Sequence, residues 1–114
     1  MKPKTARTLT KLVALRRQNA EQAMGQAKMS LDEAKAKLAA LEAELRAAPG
    51  GTEQDYAALS LSDRFGNSQR ILGQIEAQKS VVATCEETLA IRRNLLKQAF
   101  GSEQSLKEIV ATRK

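Results

Sequence analysis

Apolar residues recur along the first half of the chain at alternating spacings of three and four. The pattern holds without exception over three heptads, and it continues backward through Ala20 and Val13, although Arg17 interrupts it. Such a repeat places one apolar stripe along a helix, as in the seam of a coiled coil. We therefore predict a first helical arm over about residues 6–47. Its stripe consists of Met24, Ala27, Leu31, Ala34, Leu38, Leu41 and Leu45.

A second stripe of the same spacing occupies the other half of the chain and predicts a second arm over about residues 68–112. Nine of its twelve positions are apolar, and Gly101 lies within it. A glycine costs about 1 kcal/mol relative to alanine inside a helix, so we expect a kink or fraying near Phe100 and Ser102. The stripe consists of Ile71, Ile75, Gln78, Val82, Cys85, Leu89, Arg92, Leu96, Ala99, Glu103, Leu106 and Val110.

Between the arms, Pro49 is followed directly by Gly50 and Gly51. Proline removes a helical hydrogen bond and glycine allows positive φ, so the chain can reverse here. Residues 52–55 resemble a capping box with Asp in place of the preferred Glu, which predicts a short helix over 56–61. A second cap, Ser62 or Ser68, flanks Gly66-Asn67. The tip, over 48–67, is thus predicted to be a short helix or irregular.

Two amphipathic arms of similar length cannot each remain alone in water, because one stripe buries nothing without a partner. We therefore predict an all-α fold, a single antiparallel two-helix coiled-coil hairpin spanning residues 1–114, monomeric in solution. The alternative is two long helices that dimerise with another copy. The Pro49-Gly50-Gly51 sequence argues against it.

Charge is uneven along a chain whose formal net charge is +6. Six basic residues precede the first acidic residue, Glu21, whereas from position 18 onward 13 basic and 13 acidic side chains balance. A basic patch confined to the N-terminal arm is therefore expected, able to attract nucleic acid, anionic lipid or an acidic protein. Within it Arg7, Lys11, Arg16 and Arg17 are the candidate partner-binding residues, or else they only solvate the end of a helix.

The residues that usually carry catalysis are sparse. The chain has no His and one Cys, Cys85, which its apolar neighbourhood predicts to be a small buried residue. Neighbouring carboxylates on a helix point about 100° apart and do not converge, and there is no glycine-rich phosphate loop. We expect no enzyme, no metal, no cofactor and no small-molecule substrate. Without an apolar run of signal-peptide or membrane-spanning length, we expect a cytoplasmic protein.

Apolar residues off the stripes are candidates for docking. The aromatic content is only 3%, and a cluster of off-stripe apolar residues lies near the turn. It either caps the open end of the hairpin or forms an exposed patch that binds a partner. The cluster consists of Tyr56, Leu59, Leu61, Phe65 and Leu72.

The chain resembles the flagellar type III export family FliJ, whose injectisome counterparts are the YscO stalk proteins. The resemblance spans nearly the whole chain. It comprises the basic opening at 5–12, Leu15-Arg16-Arg17, Ala20-Glu21, the Ala/Leu/Glu-rich run to Leu45-Arg46, a turn with an aromatic and Arg64-Phe65, a Gln- and Leu-rich second helix, and the ending at 105–109.

This resemblance implies a non-catalytic hairpin similar to the stalk of rotary ATPases, inserted in the ring of the export ATPase. In that family the end bearing both termini associates with the ATPase hexamer. The tip half contacts the membrane-embedded export gate and escorts export chaperones. The implied location is cytoplasmic, at the periphery of the inner-membrane export apparatus. This chain has fewer aromatic residues near the tip than the family pattern, so the gate-contact residues are the least defined.

Two other functions compete with this one. The basic cluster and a pI near 9.8 are compatible with a nucleic-acid-binding hairpin. The balanced charges beyond the arm and the lack of aromatic platforms for bases make that function the weaker hypothesis. A secretion chaperone or adaptor that completes a helical bundle with an amphipathic partner is the third.

Overall fold

The computed structural model describes residues 2–47 and 61–112, except the side chains of 61–64. Helix α1 spans Pro3–Ala47 and helix α2 spans Leu61–Thr112. No strand occurs in the described ranges. The described part of the chain is therefore all-α and consists of two long helices.

Helix α1 begins slightly earlier than predicted and ends where predicted. Pro3 is its first residue, and the amide of Ala6 donates to the carbonyl of Lys2 at 3.0 Å. Proline is favoured at the first helical position because its missing N–H would have no helical partner there and its φ suits the helix. The helix ends at Ala47, two residues before Pro49.

Helix α2 begins at Leu61, seven residues before the predicted start. Gly66 and Asn67, assigned above to the tip, are helical, and so are Ser62 and Ser68, the two alternatives for the second cap. The predicted start at about residue 68 was wrong because one glycine costs a helix only about 1 kcal/mol, which the hydrogen bonds of a continuous helix can offset. Proline, in contrast, removes a helical hydrogen bond. The short helix predicted over 56–61 lies outside the described residues except for its last position.

Residues 100–102 are also helical, so the fraying expected near Gly101 does not occur. No described glycine has a positive φ. A Cβ at position 101 would meet nothing within 4 Å, which shows that no packing demand requires glycine there. The cost of this glycine is therefore only its intrinsic helix propensity.

The chain divides into two compact units. Unit 1 combines Met1–Ser30 with Glu86–Lys114, and unit 2 is Leu31–Cys85. Each unit contains a part of α1 and a part of α2. Residues distant in sequence therefore pack together within both units.

In unit 1 the two helices run antiparallel. Arg17 contacts Glu103, whereas Ala23, later on α1, borders the same groove as Arg92, earlier on α2. The buried apolar side chains of this unit belong to the predicted stripes. They are Ala27, Leu89 and Ala99.

In unit 2 the helices are antiparallel as well. The side-chain Nε2 of Gln78 donates to the carbonyl of Ala34 at 3.0 Å, and Leu41, later on α1, borders a groove with Gln74, earlier on α2. The apolar core of the unit is larger than that of unit 1. It consists of Leu31, Ala34, Ile71 and Ile75, and Ile71 is only 1% exposed.

Both predicted stripes coincide with the buried faces of the helices. All seven positions of the first stripe are buried or half-buried, and so are eleven of the twelve positions of the second. Arg92 is the exception, because its guanidinium lies at the surface. The repeat read from the sequence therefore identifies which face of each helix packs.

Candidate partner-binding surface

An ion-pair network joins the two helices of unit 1. Arg17 Nε lies 2.7 Å from Glu103 Oε2, and its Nη1 lies 2.9 Å from Glu21 Oε1. Glu103 also forms an ion pair with Lys107, whose Nζ lies 3.2 Å from Glu103 Oε1. The Arg17 guanidinium lies 5.8 Å from the centre of the Phe100 ring, within the range of a cation–π contact. Arg17 and Glu103, each a polar residue within its stripe, are thus partners of each other.

This network favours the charged forms of its members. The hydrogen bond from Arg17, followed by that from Lys107, lowers the pKa of Glu103. The hydrogen bonds to Glu103 and Glu21 raise the pKa of Arg17. The pair is therefore ionised at neutral pH, and the two charges compensate each other where the helices meet.

The four basic residues predicted to bind a partner have different environments. Arg7, Lys11 and Arg16 are exposed, whereas the side chain of Arg17 is only 23% exposed and is held by two carboxylates. None of the first three forms an ion pair with a residue that the structure describes. Arg7, Lys11 and Arg16 are available to a partner, and Arg17 already links α1 to α2.

Positive charge is concentrated in unit 1. By sequence, the ranges of unit 1 hold 13 basic and five acidic residues, a net charge of +8. Those of unit 2 hold six basic and eight acidic residues, a net charge of −2, and the two values give the +6 of the chain. Residues 1–30 supply +6 of the charge of unit 1, as the sequence predicts. Over residues 86–112 four basic residues are balanced by four glutamates, and Arg113 and Lys114 account by sequence for the remaining +2.

An open groove of about 210 Å³ lies on the surface of unit 1, between the two helices. Three alanines and an exposed leucine form its apolar part, and two arginines and an asparagine add polar groups. The lining consists of Arg16, Asn19, Ala20, Ala23, Arg92, Leu95 and Ala99. The sequence repeat placed Arg92 in the buried stripe, and its exposed position beside the groove was not predicted. Its charge within an apolar repeat was the signal that it faces outward.

The residues predicted to meet an export gate or chaperone are only partly described. Tyr56 and Leu59 lie outside the described residues, as does the side chain of Leu61. Phe65 is 67% exposed and Leu72 is also exposed. They are seven residues apart on α2, so they share one face of the helix, about 10 Å apart along its axis. Two of the five are thus exposed apolar residues on one face of α2, two helical turns apart.

Within the described ranges, no group of three or more His, Cys, Asp or Glu could hold a metal ion. Cys85 is half-buried on the stripe of α2, less buried than predicted. Neither helix has, in its described part, a stretch both long and apolar enough to cross a membrane.

Comparison with known proteins does not add a relative. No protein-family model, no curated protein and no solved structure matches this chain. The resemblance to the FliJ family stays a prediction that depends on the residues quoted above.

Proposed function

We propose that this protein is a non-catalytic stalk and coupling component of a type III export ATPase complex, built as an antiparallel two-helix coiled coil. The observation that supports it best is the pairing of the two 3-4 stripes of one chain in both units. Side chains that repeat every seven residues on both helices can interlock within each unit. Such an interface leaves the outer surface for partners.

The charge of unit 1 supports the proposed contact with an ATPase ring. A net charge of +8 creates a field that steers an acidic partner toward this unit and accelerates association, most strongly at low salt. Arg7, Lys11 and Arg16 are exposed and unpaired among the described residues, so their donors can meet carboxylates of the ring. The exposed pair Phe65 and Leu72 is the proposed contribution of unit 2 to binding the export gate or a chaperone.

The test uses the export ATPase of the same organism. The chain should bind the ATPase and raise its rate of ATP hydrolysis. Reversal of three charges, Arg7→Glu, Lys11→Glu and Arg16→Glu together, should weaken binding by roughly tenfold or more. Arg17 is left intact because a carboxylate at position 17 would face Glu103 and disturb the packing of the helices.

A matched control reverses the same number of exposed charges in unit 2, with Lys35→Glu, Lys37→Glu and Lys79→Glu. This control should keep most of the affinity, and circular dichroism should show that both variants remain helical. Equal loss in the two variants would assign the effect to net charge alone. The proposal fails if the native chain neither binds the ATPase nor changes its hydrolysis rate.

The same basic unit supports a second candidate, binding of nucleic acid. A net charge of +8 in one unit is the observation that favours it. Binding through phosphates releases counterions, so the affinity for an RNA or DNA oligonucleotide should fall steeply as salt rises. If neither RNA nor DNA binds at moderate salt, this candidate is removed, and the proposed role in the export ATPase complex is unaffected.

A further inference from the structure

The groove of unit 1 combines an apolar floor with unpaired cationic groups. Ala20 and Ala23 are half-buried and form a surface on which another backbone can approach closely, Ala99 lies buried at the bottom of the groove, and Leu95 adds exposed apolar area. Arg16 and Arg92 line the same groove from opposite helices, and within the described chain neither guanidinium forms an ion pair.

We propose that this groove binds an acidic amphipathic helix of a partner protein. The apolar face of that helix packs on the alanines and Leu95, and its carboxylates pair with Arg16 and Arg92. The proposal rests on the proposed function, because it specifies which segment of a partner the basic unit recognises and where. The proposal assigns to binding Arg92, Leu95 and the three alanines of the groove, none of which was predicted from the sequence to bind a partner.

The dimensions of the groove suit a helix. From Arg16 to Ala23, α1 rises about 10 Å, the length of two helical turns. A helix lying on this surface presents apolar residues three and four positions apart to the floor, and acidic residues beside them reach the two sides. The guanidinium group suits this role because its planar donors match a carboxylate in a two-bond geometry.

The charges of the molecule select this occupant over others. A second copy would bring its own unit 1, with a net charge of +8, into repulsion, and its unit 2 offers a net charge of only −2. A nucleic acid would satisfy the arginines through phosphates but leave the alanines and Leu95 uncovered. No aromatic ring lines the groove for a base to stack on.

The experiment uses a synthetic probe and the full chain. The probe is a fluorescent peptide of three heptads with the sequence Leu-Ala-Glu-Leu-Ala-Glu-Glu, which places leucines on one face and glutamates beside them. A scrambled peptide of equal composition has no leucine stripe. By fluorescence anisotropy at moderate salt, the striped peptide should bind roughly tenfold more tightly than the scrambled peptide.

Adjacent arginines provide the matched pair of variants. Arg92 lines the groove, whereas its neighbour Arg93 is also exposed but does not line it. Arg92→Glu should weaken binding of the striped peptide by roughly tenfold, and Arg93→Glu, with the same change in net charge, by less than about threefold. Both side chains are exposed, so both variants should fold, as circular dichroism will verify.

Any of three results with the peptides would overturn the inference. They are equal losses in the two variants, equal affinity for both peptides, and displacement of the bound peptide by a single-stranded RNA at equal concentration. Self-association of the native chain that Arg92→Glu abolishes would assign the groove to a second copy instead and would also overturn it. Peptide binding that follows the prediction, in a chain that does not bind the ATPase, would reject the proposed function while the groove assignment stands.

Discussion

Replacement of Ile71 by alanine tests whether the two stripes of one chain hold the fold together. Ile71 is 1% exposed in the core of unit 2. Ile91, also on α2 but off the stripe, is 58% exposed and is the matched control. Both substitutions remove the same atoms from the same helix, so the difference between them isolates burial.

The expected magnitudes follow from the exposed fractions. The substitution removes three carbon groups, worth about 2.5 kcal/mol at about 0.8 kcal/mol for each when fully buried. At Ile71 a residual cavity raises the loss to about 3 kcal/mol, in the range of such core truncations. At Ile91 less than half of the side chain is covered, which leaves about 1 kcal/mol, and the better helix propensity of alanine offsets a few tenths of it.

Urea denaturation followed by circular dichroism measures both values. A loss below about 1 kcal/mol for Ile71→Ala, or equal losses for the two variants, would refute the burial of the α2 stripe against α1. The same experiment at several protein concentrations distinguishes pairing within one chain from dimerisation. A midpoint independent of concentration is expected, and one that rises with concentration would favour the dimer of long helices.

Three further predictions concern single positions. Gln78→Leu should leave the free energy of unfolding unchanged or raise it by about 1 kcal/mol, because the carbonyl of Ala34 keeps its helical hydrogen bond after the buried amide is replaced. A clear loss of stability in thermal denaturation would show that the amide is required. Glu103→Gln should lower the melting temperature at pH 7. The folded-state pKa of Glu103 is lowered, so its contribution is present above the ordinary value of 4.5 and lost as the pH falls through the folded pKa. The difference between variant and native protein should therefore vanish in acid, and a constant difference would contradict this origin. Gly101→Ala should raise the free energy of unfolding by about 1 kcal/mol, because a Cβ at this position meets nothing within 4 Å. Urea denaturation that shows no gain would indicate that the added Cβ strains the helix.

Patterns internal to one helix were predictable from the sequence. The 3-4 repeat identified the buried face of each arm, and Pro49 marked the end of α1 closely. These features depend on neighbours within a few residues, where periodicity and backbone chemistry act directly. The start of α2 was predicted seven residues late because glycine and asparagine weaken a helix without forbidding it.

Relations between the helices were decided only by the tertiary structure. A repeat of seven residues matches itself again after every heptad shift, so periodicity alone does not determine which residue of α1 faces which residue of α2. Packing selects that alignment, and with it the ion pair of Arg17 and Glu103 and the hydrogen bond from Gln78. Packing also places Arg92 of α2 beside Arg16 of α1 at one groove, which a count of charges along the sequence does not show, because the two residues are distant in the chain.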